Sequence, residues 1–425
     1  VRVAGALPGE DVEAEVNHVS THRPVAWASL TTIRRASPAR VAPACPAHGR
    51  CGGCVLQHLA YPAQVAWKEA RLQRLVADCP ALAGAAVTAA VPSPRPLGYR
   101  STSKLVAGRD AGGRLILGAY APRTHHLVDL AGCRIVEPVL DEVAGALSAL
   151  LVDRNLAPYD ERRLVGILRY VVLRASARGE VLATLVTAGD SLPGGAALAE
   201  ALRAARPEVV GVVQNVNPAR GNVVFGDRER TLAGAPFLEE EIVGLRLRLS
   251  SRAFFQANRQ VAAAAYAAIA AAAALTGAET VVDAYAGAGG IALTLAPRAR
   301  AVLGIEVNAA AVADASSSAL AAGITNTRFV AGDVAAHLAT AGAADIVVLN
   351  PPRKGCSPSV LHAAAALGPR TIAYLSCAPD TLVVDLETLA RLGYRTTTIT
   401  PFDMLPHTPH VEALAILERH TPDAL

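Results

Sequence analysis

From about residue 241 onward, short apolar runs alternate with longer segments of helical periodicity. The apolar runs are Val281-Val282-Asp283, Ala301 to Glu306, Asp345 to Leu349 and Thr371 to Ser376. This alternation predicts a doubly wound, mainly parallel α/β sheet of the Rossmann-like kind. Val261 to Leu275 is alanine-rich and apolar throughout. It falls short of the roughly 20 residues that span a bilayer, so it predicts a buried helix.

The pattern differs upstream. Residues 98–240 alternate strand-like runs with turns. The clearest strands are Leu164 to Leu173, Val181 to Thr187 and Val209 to Val216, with a turn from Asn217 to Asn222. A sheet-rich α+β middle domain follows from this. Residues 80–97 are rich in alanine and proline and predict a connector. Tyr61 to Val76 predicts an amphipathic helix with Val65, Leu72, Leu75 and Val76 on one side. Residues 1 to about 40 alternate polar and apolar positions around Pro8-Gly9-Glu10, as a small β module does. The expected units are therefore 1–40, 41–240 and 241–425, with the 61–77 helix free to pack on the last of them.

Bulk properties narrow the class. The chain has 425 residues, 52% of them hydrophobic and 18% charged, which is a globular and not a disordered composition. A net charge of +4 permits a nucleic-acid partner without requiring one. Lys68, Lys104 and Lys354 are the only lysines. The arginine bias fits either a GC-rich coding sequence or phosphate recognition. Arg23, Arg34, Arg35 and Arg40 make the first module basic, as a solvated face or a phosphate-contacting one. No charged-then-apolar leader opens the chain, and Val1 is not a start methionine, so a trimmed N-terminus is expected. Seven cysteines without secretory features point to a reducing compartment, the cytoplasm, with no membrane attachment.

Several groups carry chemistry. Asp283-Ala284-Tyr285-Ala286-Gly287-Ala288-Gly289-Gly290 follows one predicted strand and opens a helix at Ile291. Its glycines let a ligand approach the backbone, and the helix N-terminus favours polar groups. Glu306 ends the next strand, where a carboxylate can bind both hydroxyls of a ribose. Turn plus acid fits S-adenosylmethionine, a dinucleotide, or a cofactor-free turn. Asp333 ends the third run, as an adenine-side contact or a simple turn residue. Asn350-Pro351-Pro352-Arg353 ends the fourth; its Asn-Pro-Pro alone suits transfer to an amino group, but Arg353 suits an anionic or carbonyl-bearing substrate. Cys377 ends the last run, and Glu412 lies downstream beyond His407 and His410. A thiolate adding to carbon 6 of a pyrimidine makes carbon 5 enolate-like, and a base must later remove the carbon-5 proton. Both histidines fit structural roles as well as substrate orientation. Cys45, Cys51 and Cys54, with Cys133 further on, suit structural zinc or an iron–sulfur cluster. Cys79 and Cys356 belong to neither set.

Together these motifs resemble the RNA uracil-5 methyltransferases, in the branch with a TRAM domain and a 4Fe-4S cluster. The likeness spans almost the whole chain. Ala6-Leu7-Pro8-Gly9-Glu10 is similar to the later part of a TRAM domain, an OB-like β-barrel that binds RNA. Cys45, Cys51, Cys54 and Cys133 match the cluster ligands, and Gln214-Asn215-Val216-Asn217-Pro218 a middle-domain signature. Phe254-Phe255-Gln256-Ala257-Asn258 resembles a motif whose glutamine touches cofactor and substrate. The resemblance implies S-adenosylmethionine binding by Gln256, Tyr285, Glu306 and Asn350, beside Gly287, Gly290 and Asp333 of the turns. It implies Cys377 as nucleophile and Glu412, in Phe402 to Glu412, as base. Asn350 stands where the family usually has aspartate, and Ala378 where asparagine is common. Both chemical groups remain, so activity is expected. The implied substrate is structured RNA, large-subunit ribosomal RNA ahead of transfer RNA, with no obligate protein partner. The rival readings are an amino-group methyltransferase and a non-catalytic RNA-binding or assembly factor.

Overall fold

The computed structural model describes residues 1–221 and 223–420. The first unit is a three-stranded sheet of β1 (Arg2–Ala4), β2 (Asp11–Val19) and β3 (Ala26–Arg35), in the order β1-β3-β2. An OB barrel takes five strands; residues 2–35 supply three. Arg40 bonds to both oxygens of the buried Glu10 carboxylate and pins the module to the chain that follows. That guanidinium holds Glu10 down at about 2. Arg34 likewise pairs with Glu13. Two of the four arginines expected on a basic face are therefore engaged with carboxylates.

After the cysteine-bearing loop comes α1 (Tyr61–Ala77), then the short strand β4 (Ala86–Val87). The buried face of α1 is Gln64, Lys68, Leu72 and Val76. This is rotated from the expected stripe; Val65 and Leu75 are only partly buried. Two polar residues go inside because partners await them. Gln64 donates to the carbonyls of Leu56 and Leu59 and accepts from the backbone of His407. Lys68 pairs with Asp403 at 2.5 Å, both side chains 1% exposed. The expected connector at 80–97 is not a free linker. Ala86–Val87 joins the C-terminal sheet in parallel with its edge strand.

The middle sheet is built from β5 (Thr102–Arg109), β6 (Leu115–Tyr120), β7 (Leu127–Asp129), β8 (Leu168–Ala175), β9 (Val181–Thr187), β10 (Val209–Val216) and β11 (Arg228–Gly234). Its order is β11-β10-β9-β8-β5-β6-β7, antiparallel except for β9–β10. Helices α2 (Pro138–Asp153) and α3 (Gly195–Ala205) bury Leu140, Leu147, Leu198 and Leu202 in the same core as Leu173 and Leu185 of the sheet. The strand expected from Leu164 starts only at Leu168. Leu164 itself sits at φ 59 in a turn, its side chain exposed. Asn222, the last residue of the expected 217–222 turn, lies outside the described residues.

A hairpin of β12 (Phe237–Ile242) and β13 (Leu245–Ser250) follows. The boundary expected near 240 thus falls inside β12. Leu247 and Leu249 of the hairpin share a core with the alanine-rich α4 (Arg259–Ala273), which is buried as expected.

The C-terminal sheet then runs through β14 (Thr280–Ala284), α5 (Gly290–Leu295), β15 (Ala301–Glu306), α6 (Ala309–Ala321), β16 (Thr327–Ala331), α7 (Val334–Leu338), β17 (Ile346–Leu349), α8 (Pro358–Ala366), β18 (Thr371–Ser376), α9 (Pro379–Arg391), β19 (Tyr394–Phe402) and β20 (Glu412–Arg419). The order is β16-β15-β14-β17-β18-β20-β19-β4. The first five strands are parallel, and β20 enters antiparallel to both β18 and β19. Apolar cores form on both faces, as in a doubly wound sheet. Strand order reverses between β14 and β17. A crevice opens there, at the carboxyl ends of the strands, where such folds bind ligands.

Lys68→Ala would leave the Asp403 carboxylate buried and uncompensated. It is expected to cost about 3–5 kcal/mol of stability in denaturant titration. Lys68→Met combined with Asp403→Leu should lose much less, because neither charge then remains inside.

Candidate active site

The crevice is a cavity of about 740 Å³. It is lined by Gln256, Tyr285, Gly287, Gly290, Glu306, Asp333, Asn350, Cys377 and Glu412, all nine residues expected to serve the cofactor or the chemistry. Tyr285, Gly287 and Gly290 share the turn after β14, and the others come from separate strand ends and loops. Tyr285 follows β14 in the left-handed region, at φ 66, which costs a non-glycine residue energy and is a hallmark of functional turns. Gly287 also has positive φ, 56, and a Cβ there would meet no atom closer than 3.9 Å. The wall is therefore open at the point where the backbone turns. At Gly290 a Cβ would lie 2.9 Å from the ring of Tyr266, so this position must stay small for α5 to seat.

Glu306 is already engaged. One oxygen accepts from the N–H of Gly287 at 3.0 Å and the other from Asn308 at 2.8 Å. Each keeps a lone pair for a ligand hydroxyl. Asp333 accepts from Ala336 and so caps α7, a structural role that coexists with its place on the cavity wall. Phe254, 67% exposed, stands at the mouth. Asn258 of the same motif caps α4 and donates to Ser93 at 2.9 Å, so it is a scaffold residue.

Cys377 and Glu412 meet because β18 and β20 are antiparallel neighbours. Ser376 pairs with Ala413, so the next residues outward, Cys377 and Glu412, face one another. Glu412 is buried, and burial pushes its carboxyl up to about 7; nearby Arg353 opposes this. Burial also pushes the Cys377 thiol up, Glu412 adds to the shift, and Arg353 works against it. Arg353 reaches His410, with its Nη2 3.5 Å from the ring Nε2. His407 lies deeper, at φ 66, against Gln64. The pair can perform both halves of an addition–elimination: a thiol to attack, and a carboxylate that exchanges protons near neutral pH.

One wall residue, Tyr266, and one fully buried residue at the start of the glycine turn, Asp283, escaped the sequence reading. Tyr266 belongs to the apolar period of α4 and reads as core. Asp283 reads as part of the turn, yet it is fully buried, with Oδ2 accepting from Ala292 and Oδ1 without a partner. Burial pushes it up to about 7. A single acid inside an apolar strand was the available signal.

A second cavity, about 510 Å³, is lined by Cys45, Cys51, Cys54 and Cys133. Gln57 fixes this loop by accepting from the Cys45 N–H at 3.0 Å. Burial pushes the Cys54 and Cys133 thiols up, and each is raised further by Cys45 and Cys51. Among the described residues, no three His, Cys, Asp or Glu side chains converge closely enough to hold one metal ion. None of the seven cysteines is in a disulfide.

Residues 239–420 match the family model described as tRNA (uracil-5-)-methyltransferase. An uncharacterized RNA methyltransferase of Geobacter sulfurreducens is 42% identical over 99% of this chain and 86% of its own length. The chain belongs to the RNA uracil-5 methyltransferase family. It is an RNA methyltransferase. A relative of the same description from Gloeobacter violaceus is 39% identical over 98% of this chain and 91% of its own. The crystal structure of the tRNA (uracil-54, C5)-methyltransferase of Pyrococcus abyssi, in complex with S-adenosyl-L-homocysteine, superposes with a TM-score of 0.78. That likeness is 26% identical and covers 98% of this chain and 95% of that one.

The raised carboxyl of Glu412 has a sign in stability. Its folded value lies above its ordinary 4.5, so stability is full below that pH, falls as pH rises to about 7, and then levels. Glu412→Gln should therefore stabilise the enzyme at pH 8 by roughly 3 kcal/mol at most and by nothing near pH 4. Thermal denaturation at the two pH values would check it.

Proposed function

We propose that the enzyme transfers a methyl group from S-adenosylmethionine to carbon 5 of a uridine in structured RNA. The observation that carries this is the register of β18 and β20, which sets Cys377 against the buried Glu412 inside the cavity of the glycine turn. An amino-group methyltransferase needs no such thiol–carboxylate pair.

S-adenosylmethionine would supply an electrophilic methyl on a sulfonium, held by Gln256, Tyr285, Gly287, Gly290, Glu306, Asp333 and Asn350. The Cys377 thiolate adds to uracil carbon 6, and the electron pair of the 5,6 double bond moves toward the carbon-4 carbonyl. Arg353, beside the thiol, suits that oxygen as the charge develops. Carbon 5 would take the methyl group as its bond to the sulfonium sulfur breaks, leaving S-adenosylhomocysteine. Glu412 then removes the carbon-5 proton, the double bond re-forms, and the carbon–sulfur bond breaks to return the thiolate. A base inside an RNA fold must be flipped out to enter the cavity.

The cysteine cavity is read as a 4Fe-4S site ligated by Cys45, Cys51, Cys54 and Cys133. What supports the reading is that all four cysteines line one cavity; four thiolates suit zinc as well as a cluster. The group would hold the 45–60 loop to the middle domain, and the transfer chemistry needs no redox step from it. Residues 1–40 are read as part of a TRAM-like RNA-contacting module. Among the described residues no helix is long and apolar enough to cross a membrane; with a ribonucleic acid substrate, a cytoplasmic site of action is proposed. Large-subunit ribosomal RNA is the proposed target, and transfer RNA, the substrate of the Pyrococcus enzyme, is the competing one. Mapping 5-methyluridine in total RNA from cells lacking the gene separates them.

RNA carrying 5-fluorouridine blocks the proton removal. With S-adenosylmethionine it is expected to trap a covalent complex that survives denaturing electrophoresis. Cys377→Ala should form none, and Glu412→Gln should trap adduct even with ordinary RNA. Absence of any adduct from the wild-type enzyme would sink the covalent route. Anaerobic purification should yield a brown protein containing iron, and stoichiometric zinc in a colourless one would remove the cluster reading.

A further inference from the structure

Helix α9 begins at Pro379, just beyond Cys377. Thr381 and Asp385 lie four residues apart on it and so share one face. Both reach the loop after β17 that carries Arg353. The Thr381 hydroxyl lies 3.3 Å from the Arg353 carbonyl and 2.9 Å from that of Ala378. Asp385 is buried, and its Oδ2 accepts from the backbone N–H of Cys356 at 2.8 Å and from the Tyr374 hydroxyl at 2.5 Å. Tyr374 belongs to β18, the strand that delivers Cys377.

The loop is shaped for this contact. Gly355 has φ +76, and a Cβ there would lie 2.6 Å from Asp385 Oδ2. Only glycine lets the backbone come this close. The Cys356 thiol, an unassigned cysteine by sequence, is flanked by Tyr374 and by Tyr285 of the cofactor wall. One carboxylate thus joins the strand of the thiol, the loop of Arg353 and, through Cys356, the wall at Tyr285. Its two donors are neutral. An apolar side chain would fill the position at a smaller desolvation cost. What the carboxylate adds is a directed acceptor for two elements at once.

We propose that Asp385 is a positioning residue for the transfer: by accepting from Tyr374 and Cys356 it holds the Arg353 guanidinium beside the Cys377 thiol. This rests on the reading of Cys377 as the nucleophile.

The test is the pH dependence of Cys377 alkylation by iodoacetamide in the full chain, read by peptide mass spectrometry, with melting temperature and methylation kinetics alongside. Arg353 favours the thiolate, so its displacement moves the alkylation midpoint upward. Asp385→Ala is expected to raise that midpoint by about one pH unit, as Arg353→Ala does. It should lower kcat roughly ten- to a hundred-fold with little change in KM for S-adenosylmethionine. Asp385→Asn keeps an accepting oxygen and should remain near wild type. An unmoved midpoint in Asp385→Ala, with only the melting temperature lowered, overturns the proposal; so does an Asn variant shifted as far as the Ala variant. Should Asp385→Ala fail to fold, Tyr374→Phe removes one donor and must shift the midpoint the same way by less, and no shift overturns the proposal. If the wild-type enzyme methylates no RNA, the functional reading fails, while the alkylation comparison still decides the role of Asp385.

Discussion

The chemistry of this enzyme hangs on one strand running against its neighbours. In a wholly parallel sheet, the residues at one edge all come from the carboxyl ends of strands. Because β20 is antiparallel, its first residue, Glu412, arrives at the same edge where β18 ends, just before Cys377. A register slip of one residue would turn Glu412 to the opposite face of the sheet. The pairing of Phe402 with Glu412 on the other side makes such a slip costly on two strands at once.

The same placement creates the electrostatic problem that the site uses. A carboxylate at a buried strand end is starved of water, so its proton is held into the neutral range. The thiol beside it is disfavoured as an anion for the same reason, and the Arg353 cation opposes both shifts. Arg353 is itself on an exposed loop. Its placement depends on how that loop is tied down, and those ties run to α9, the helix that begins just after Cys377.

The N-terminal side is also tied to this edge of the sheet. Helix α1 does not stand apart as a linker helix. Gln64 and Lys68 enter the C-terminal domain and hold the segment from Asp403 to His407, which leads to Glu412. The Leu56 N–H adds a bond to the His407 carbonyl at 2.9 Å. The loop bearing Cys45, Cys51 and Cys54 is thus stitched to the stretch that leads to Glu412.

Much was legible in the chain alone. The alternation of buried runs and helical periods, the glycine turn, Glu306, Cys377 and Glu412 are local patterns, and local patterns survive in a linear reading. So does the buried nature of the alanine-rich α4. The stripe of α1 was misjudged because Gln64 and Lys68 look exposed until Asp403 and His407, more than three hundred residues later, are brought beside them. Ala86–Val87 looked like a connector because a two-residue edge strand has no periodicity of its own. Cys356 reads as an ordinary thiol and Asp385 gives no local signal, because their contacts are a backbone N–H and a tyrosine hydroxyl from other elements. The sequence by itself determined which residues could do chemistry and the kind of sheet that would present them. Only the tertiary structure decided which of them face each other, since strand order, register and the partners of buried polar groups arise from packing between segments distant in the chain.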